Sequence, residues 1–166
     1  MRYAIMGVSL AALAATASAQ GPAPVWQYFE PEGAPIQAGV IAADGSQLIL
    51  KCDKPGKRSV YAVMVSKERL VPPSSAPFVL DTEVRFDEAA PLEDRWRFYD
   101  NSAVAINQGR STALTRFLRG LSTASKLRLR MNVERGRYVE RSFDVGGAQD
   151  AITRVYASCQ DELPTN

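Results

Sequence analysis

The chain has 166 residues, of which 20 are lysine or arginine and 18 are aspartate or glutamate, for a net charge of +2. So near a balance, no global field steers the protein to nucleic acid or to a membrane surface. It contains no histidine, which excludes Ser-His-Asp and Cys-His triads and imidazole metal sites.

Residues 1–19 carry one early positive charge at Arg2, an apolar run from Ala4 to Ala15, and the small-residue pattern Ala17-Ser18-Ala19. This is the tripartite layout of a secretory signal peptide, with cleavage expected before Gln20. The apolar run is shorter than the ~20 residues that span a bilayer, so no transmembrane segment is expected in the mature chain. Removing the first 19 of 166 residues leaves 147, with 19 basic residues against 18 acidic, a length suited to one domain. The expected location is the periplasm or the exterior, where a disulfide is chemically available.

Residues 20–35 include Pro22, Pro24, Pro31 and Pro35, which favours an extended arm, anchored by Trp26, Tyr28 and Phe29. A single α+β domain is expected over residues 36–160. Ile36 to Ala43 reads as a first strand, and Asp44-Gly45 turns it into a second, Gln47 to Asp53. Lys54-Pro55-Gly56-Lys57 leads to a third strand, Arg58 to Ser66, apolar on both faces. Val71-Pro72-Pro73-Ser74-Ser75-Ala76-Pro77 offers no periodicity and is a loop. Thr82 to Asp87 and Arg95 to Tyr99 then read as a hairpin with Val84, Phe86, Trp96 and Phe98 inward. Its connection, Glu88 to Asp94, is acidic.

Ser111 is a reasonable N-cap for a helix to about Leu121, whose apolar face is Ala113, Leu114, Phe117, Leu118 and Leu121. A second hairpin follows, from Lys126 to Val133 and back through Arg137 to Val145. Leu127, Leu129, Met131 and Val133 alternate with Lys126, Arg128, Arg130 and Asn132, so the cations share the outer face. Gly146-Gly147 turns the chain into a last helix, where Ala148, Ala151, Ile152, Val155 and Cys159 make the buried stripe. Cys52 and Cys159 are the only cysteines and are expected to form a disulfide closing a loop on the order of 100 residues, a stabilisation of about 4–5 kcal/mol. Residues 161–166 should fray. The fold class expected is α+β: a twisted antiparallel sheet of six or seven strands, curled into a sandwich or partial barrel, with two helices.

For catalysis only carboxylates remain. Asp87, Glu88, Glu93 and Asp94 could in principle serve sugar chemistry as acid and nucleophile, but acids in loops are ordinarily solvated. No catalytic residue, metal or cofactor is expected. The stronger signal is basic: from Arg110 to Arg141 nine cations face Glu134 and Glu140. Lys126, Arg128, Arg130, Arg135 and Arg137 are the candidate binding residues, for an envelope protein or an anionic envelope component rather than nucleic acid. The competing reading is a solvated face balanced by neighbouring acids.

The succession L-I-L-K-C at Cys52, V-R-F-D at Val84–Asp87, W-R-F at Trp96–Phe98, Phe117-Leu118, L-R-L-R at Leu127–Arg130 and F-D-V-G-G-A-Q-D-A-I from Phe143, ending at Cys159, spans most of the mature chain. In that order it resembles small exported proteobacterial proteins of the type VI secretion-associated VasI/TagO type, and more loosely the invasion-associated IalB-like proteins. The resemblance implies a periplasmic accessory or envelope-interaction protein with no catalytic centre, and transfers no site residue. The proline-rich loop and the basic segment depart from it. A non-catalytic periplasmic binding or adaptor protein is the function expected. The alternative is an inhibitor of an envelope-attacking enzyme such as lysozyme, with the Glu88–Asp94 loop as the element that enters a cleft, and an envelope glycosidase ranks last.

Overall fold

A computed structural model describes residues 26–99, 102–105, 112–134 and 136–164. The signal segment with its cleavage point, residues 20–25, Arg110, the Ser111 cap, Arg135 and residues 165–166 lie outside the described residues.

The strands are β1 (Gln27–Phe29), β2 (Gln37–Ile41), β3 (Gln47–Cys52), β4 (Val60–Val65), β5 (Phe78–Phe86), β6 (Leu92–Tyr99), β7 (Ser102–Ala105), β8 (Lys126–Glu134) and β9 (Arg137–Asp144); the helices are α1 (Thr112–Thr123) and α2 (Ala148–Cys159). They hydrogen-bond in the order β1-β2-β3-β4-β7-β6-β5-β8-β9, every pairing antiparallel. Two four-stranded leaves, β1-β2-β3-β4 and β6-β5-β8-β9, therefore join through the short β7, giving an α+β fold with sandwich-like sheets. The sheet does not close into a barrel: β9 comes up against β2 without pairing to it.

The alternation in sequence becomes the two faces of the sheet. Leu127, Leu129, Met131 and Val133 are buried, while Lys126, Arg128 and Arg130 are exposed on the opposite side of β8. Across the ladder Met64 faces Ala103, and Ala103 faces Phe98, so the inner face runs continuously from one leaf to the other. Both helices pack on it. Phe117 of α1 sits with its ring centroid 5.7 Å from Phe86 and 5.8 Å, edge-on, from Trp96, a geometry that suits aromatic quadrupoles. Gly120 keeps α1 close, because a Cβ there would lie 2.2 Å from the Phe86 ring. Ala148, Ala151, Ile152, Val155, Tyr156 and Cys159 bury the inner stripe of α2, which touches β2, β3, β4 and α1. No helix among the described residues is long and apolar enough to cross a membrane.

Gly147 has φ 81° at the N-terminus of α2, the left-handed backbone that only glycine adopts without steric cost. At the other end Cys159 is bonded to Cys52, with the two Cα atoms 5.9 Å apart. The Gly56 amide donates to the Cys159 carbonyl (2.7 Å) and the Ile36 amide to Ser158 Oγ (3.0 Å), so the helix is tied to the β3–β4 turn and to the start of β2.

Several expectations are corrected. Among the described residues the sheet has nine strands rather than six or seven, since β1 forms within the proline-rich arm and β7 in Ser102–Ala105. Trp26 anchors the arm, with Nε1 donating to the Val145 carbonyl (3.4 Å), and Tyr28 lies 3.7 Å from the Arg154 guanidinium, but Phe29 is 64% exposed and anchors nothing. The tail is fixed at its start, because Asp161 Oδ1 and Oδ2 accept the amides of Arg58 and Ser59 at 2.8 Å each. Leu70 and Val71, at the mouth of the proline-rich loop, belong to the core.

Candidate functional site

Register decides what the outer face of β5, β8 and β9 presents. Glu83, Arg130 and Glu140 stand in one row across the three strands, and Arg85, Arg128 and Ser142 in the next. Beyond them Lys126 faces Asp144. Arg128 Nε lies 3.5 Å from Glu140, Arg130 reaches Glu83 at 3.7 Å, and Arg85 reaches the same Glu83 at 3.7 Å. The Arg130 guanidinium also sits 4.1 Å over the Tyr138 ring, a cation–π contact. The face is thus less basic than its strand sequence, because acids from neighbouring strands interleave with the cations. Lys126 has no carboxylate within ion-pair reach among the described residues, and the row of Arg85, Arg128 and Ser142 contains no acid of its own, its two arginines pairing with Glu83 and Glu140 of the adjacent row. Arg137 is exposed at the start of β9.

The four acids do not assemble. Asp87 has φ 47°, and its carboxylate accepts the amides of Ser125 (3.1 Å) and Lys126 (2.8 Å), while its own amide donates to the Lys126 carbonyl (2.9 Å). It is a structural cap that joins the end of β5 to the start of β8. Glu93 and Asp94 belong to β6, opposite Glu83 and Thr82, so consecutive side chains there point to opposite faces of the sheet. The loop proposed to enter an enzyme cleft is correspondingly shorter, residues 87–91, and Glu88 is its single uncommitted acid. The sequence places Glu93 and Asp94 in the turn because it gives no sign that Leu92 already pairs with Val84.

The residue that sequence reasoning misses is Arg141. It occupies an inward position of β9, between Val139 and Phe143, and is 9% exposed. Its guanidinium spans the seam between the leaves: Nε lies 3.0 Å from Asp44 Oδ2 in the β2–β3 turn, and Nη2 donates to Glu68 Oε1 (2.9 Å) and Ser66 Oγ (3.2 Å) beyond β4. Nη1 donates to the Glu140 carbonyl (3.0 Å). Burial pushes the Asp44 carboxyl up, but the amide and hydroxyl of Ser46 and the charges of Arg141 and Lys67 outweigh it and hold the group below the ordinary carboxylate range. A charged residue in phase with the core was the available signal, since such a residue is buried only when paired.

Beside this clasp lies a cleft of about 490 Å³, walled by Ile41–Ala43 at the end of β2, by Ser142–Asp144 of β9, by the cations Arg85, Lys126 and Arg128, and by the acids Asp87 and Glu88. The candidate cations Lys126 and Arg128 therefore line a concavity, whereas Arg130 and Arg137 stand outside it. Among the described residues Cys52, Cys159 and Asp161 bring three potential metal-ligand atoms together, but the two sulfurs are bonded to each other. No family model, curated protein or solved structure matches the chain.

Proposed function

We propose that the protein is a non-catalytic binding or adaptor protein of the bacterial periplasm, which holds an acidic protein or anionic envelope component against the outer face of β5, β8 and β9. The observation that carries this reading is Lys126, with no carboxylate within ion-pair reach among the described residues, beside the row of Arg85, Arg128 and Ser142 on the wall of the cleft. The tripartite segment at residues 1–19 and the disulfide favour export. The resemblance to VasI/TagO-type proteins adds the type VI secretion apparatus as the setting. The inhibitor reading is weaker, since its inserting loop is short and Asp87 within it is tied to two amides.

Lys126→Glu with Arg128→Glu should lower capture of partners from crosslinked envelope fractions about tenfold, equivalent to ~1.4 kcal/mol. The loss should be largest at low salt, where exposed charges are least screened. Equal capture by the double variant, with the same salt dependence, would show the face to be merely solvated.

A further inference from the structure

The lining of the cleft is polarised along the strands. In the row of Lys126 it carries acids on both sides: Asp144 is the cross-strand neighbour on β9, and Asp87, whose amide donates to the Lys126 carbonyl (2.9 Å), follows β5 and is joined by Glu88. The next row, Arg85, Arg128 and Ser142, brings two guanidiniums and a hydroxyl. Two residues along a strand separate the rows by about 7 Å. Opposite charges set so close ordinarily pair, yet neither Glu88 nor Asp144 has a cation within ion-pair reach among the described residues, and Lys126 has no carboxylate. The buried Leu127 and Phe143 and the exposed Ile41 and Ala43 supply the apolar part of the lining. A concavity of this size, apolar with a few uncommitted polar groups, is the usual form of a small-molecule site.

We infer that this cleft binds a short zwitterionic peptide, its ammonium group at Glu88 and Asp144 and its carboxylate at Arg128 and Ser142. The inference goes beyond the reading of the outer face, with which it shares Arg85, Lys126 and Arg128. A ligand with one sign of charge is unsuited to the lining: an anion would meet Glu88 and Asp144, and a cation would meet Arg85, Lys126 and Arg128. A ligand that carries both signs finds a complement at each end. The spacing then sets its length. The charges of an extended dipeptide lie about 7 Å apart, matching the two rows, whereas those of a free amino acid are about half as far. Arg128 is available to it, because its contact with Glu140 is long, 3.5 Å, between two side chains that are about half exposed, and such a pair contributes little. Guanidinium is also the group best shaped to hold a carboxylate through two parallel bonds. Ile41 and Ala43 call for apolar side chains on the peptide.

The probe is alanyl-valine, with N-acetyl-alanyl-valine, alanyl-valine amide and free valine as controls. In an NMR titration of the mature protein the dipeptide should shift the amides of Ala43, Lys126, Arg128 and Asp144, and it should bind about tenfold more tightly than each control, since each lacks a charge-assisted contact or the length to make both. Glu88→Gln/Asp144→Asn should lower dipeptide affinity about tenfold and leave that of the acetylated form unchanged, and Arg128→Gln should do the same with respect to the amide. A variant that had merely lost its fold would bind neither form. Absence of localised shifts at millimolar dipeptide overturns the inference, as does equal affinity for the blocked forms or full affinity in the Glu88/Asp144 variant. Capture from envelope fractions separates this site from the outer face, because Glu88→Gln/Asp144→Asn should not lower it. If the dipeptide fails to bind while Lys126→Glu/Arg128→Glu lowers capture, the peptide site falls and the outer-face reading stands. Dipeptide binding together with capture indifferent to that charge reversal keeps the site and removes the outer-face reading.

Discussion

Gly120 fixes how near α1 comes to the sheet. A methyl group there would lie 2.2 Å from the Phe86 ring, which is itself held by Phe117, so the ring has no simple way to retreat. Gly120→Ala should therefore destabilise the protein by about 1–3 kcal/mol, although alanine favours helices by about 1 kcal/mol over glycine. Urea denaturation decides it, and an unchanged or raised midpoint would mean that the helix lifts without loss. The nearby Asp87 makes a comparable point about polar residues. Its acidity suggested chemistry, yet a left-handed backbone and two amide donors give the carboxylate a covalent neighbour's job of joining two strands.

Among the elements, α2 packs against α1, β2, β3 and β4 and carries a tyrosine whose titration is shifted. Burial, with the Asp161 charge nearby, pushes the Tyr156 phenol up to about 12. The folded state thus favours the neutral phenol, so its contribution is complete below the unfolded value near 10 and disappears as pH rises towards 12. Wild-type Tm should fall more steeply than that of Tyr156→Phe across this window, and parallel profiles would exclude the effect. The β8–β9 hairpin was legible because nine-residue alternation admits one phase; α2 was legible from its stripe of alanine, isoleucine, valine and cysteine. Neither β1 nor β7 was, since three or four residues show no period and the prolines around β1 point to an unpaired arm. The cations of the candidate face could be placed by phase, but Glu83 and Glu140 reach them only through register. The cleft joins β2 to β9, some 100 positions apart, a juxtaposition to which local pattern is blind.

At the scale of the whole molecule the two leaves meet through β7, the helices between them, the Arg141 clasp and one covalent bridge. Cys52 and Cys159 are separated by 107 positions, and the loop they close should contribute about 4–5 kcal/mol by restricting the unfolded chain. The Cys52→Ala/Cys159→Ala variant is expected to lose that amount in denaturant titration while keeping its far-ultraviolet spectrum at neutral pH. A loss below about 1 kcal/mol would mean that α2 is held by its other ties, through Ile36, Gly56 and Asp161. The exposed stretch Pro72–Ala76 and the turn at residues 87–91 both fall inside the ring of residues 52–159. A protease that severs either one nicks the molecule without dividing it, and the pieces part only when a reductant opens the bridge. A cut at residues 30–34, outside the ring, leaves β1 with no covalent tie, held by its ladder to β2, the Trp26 hydrogen bond to Val145 and the Tyr28–Arg154 contact. The bridge therefore sorts the surface into places where scission is a wound and places where it is an amputation.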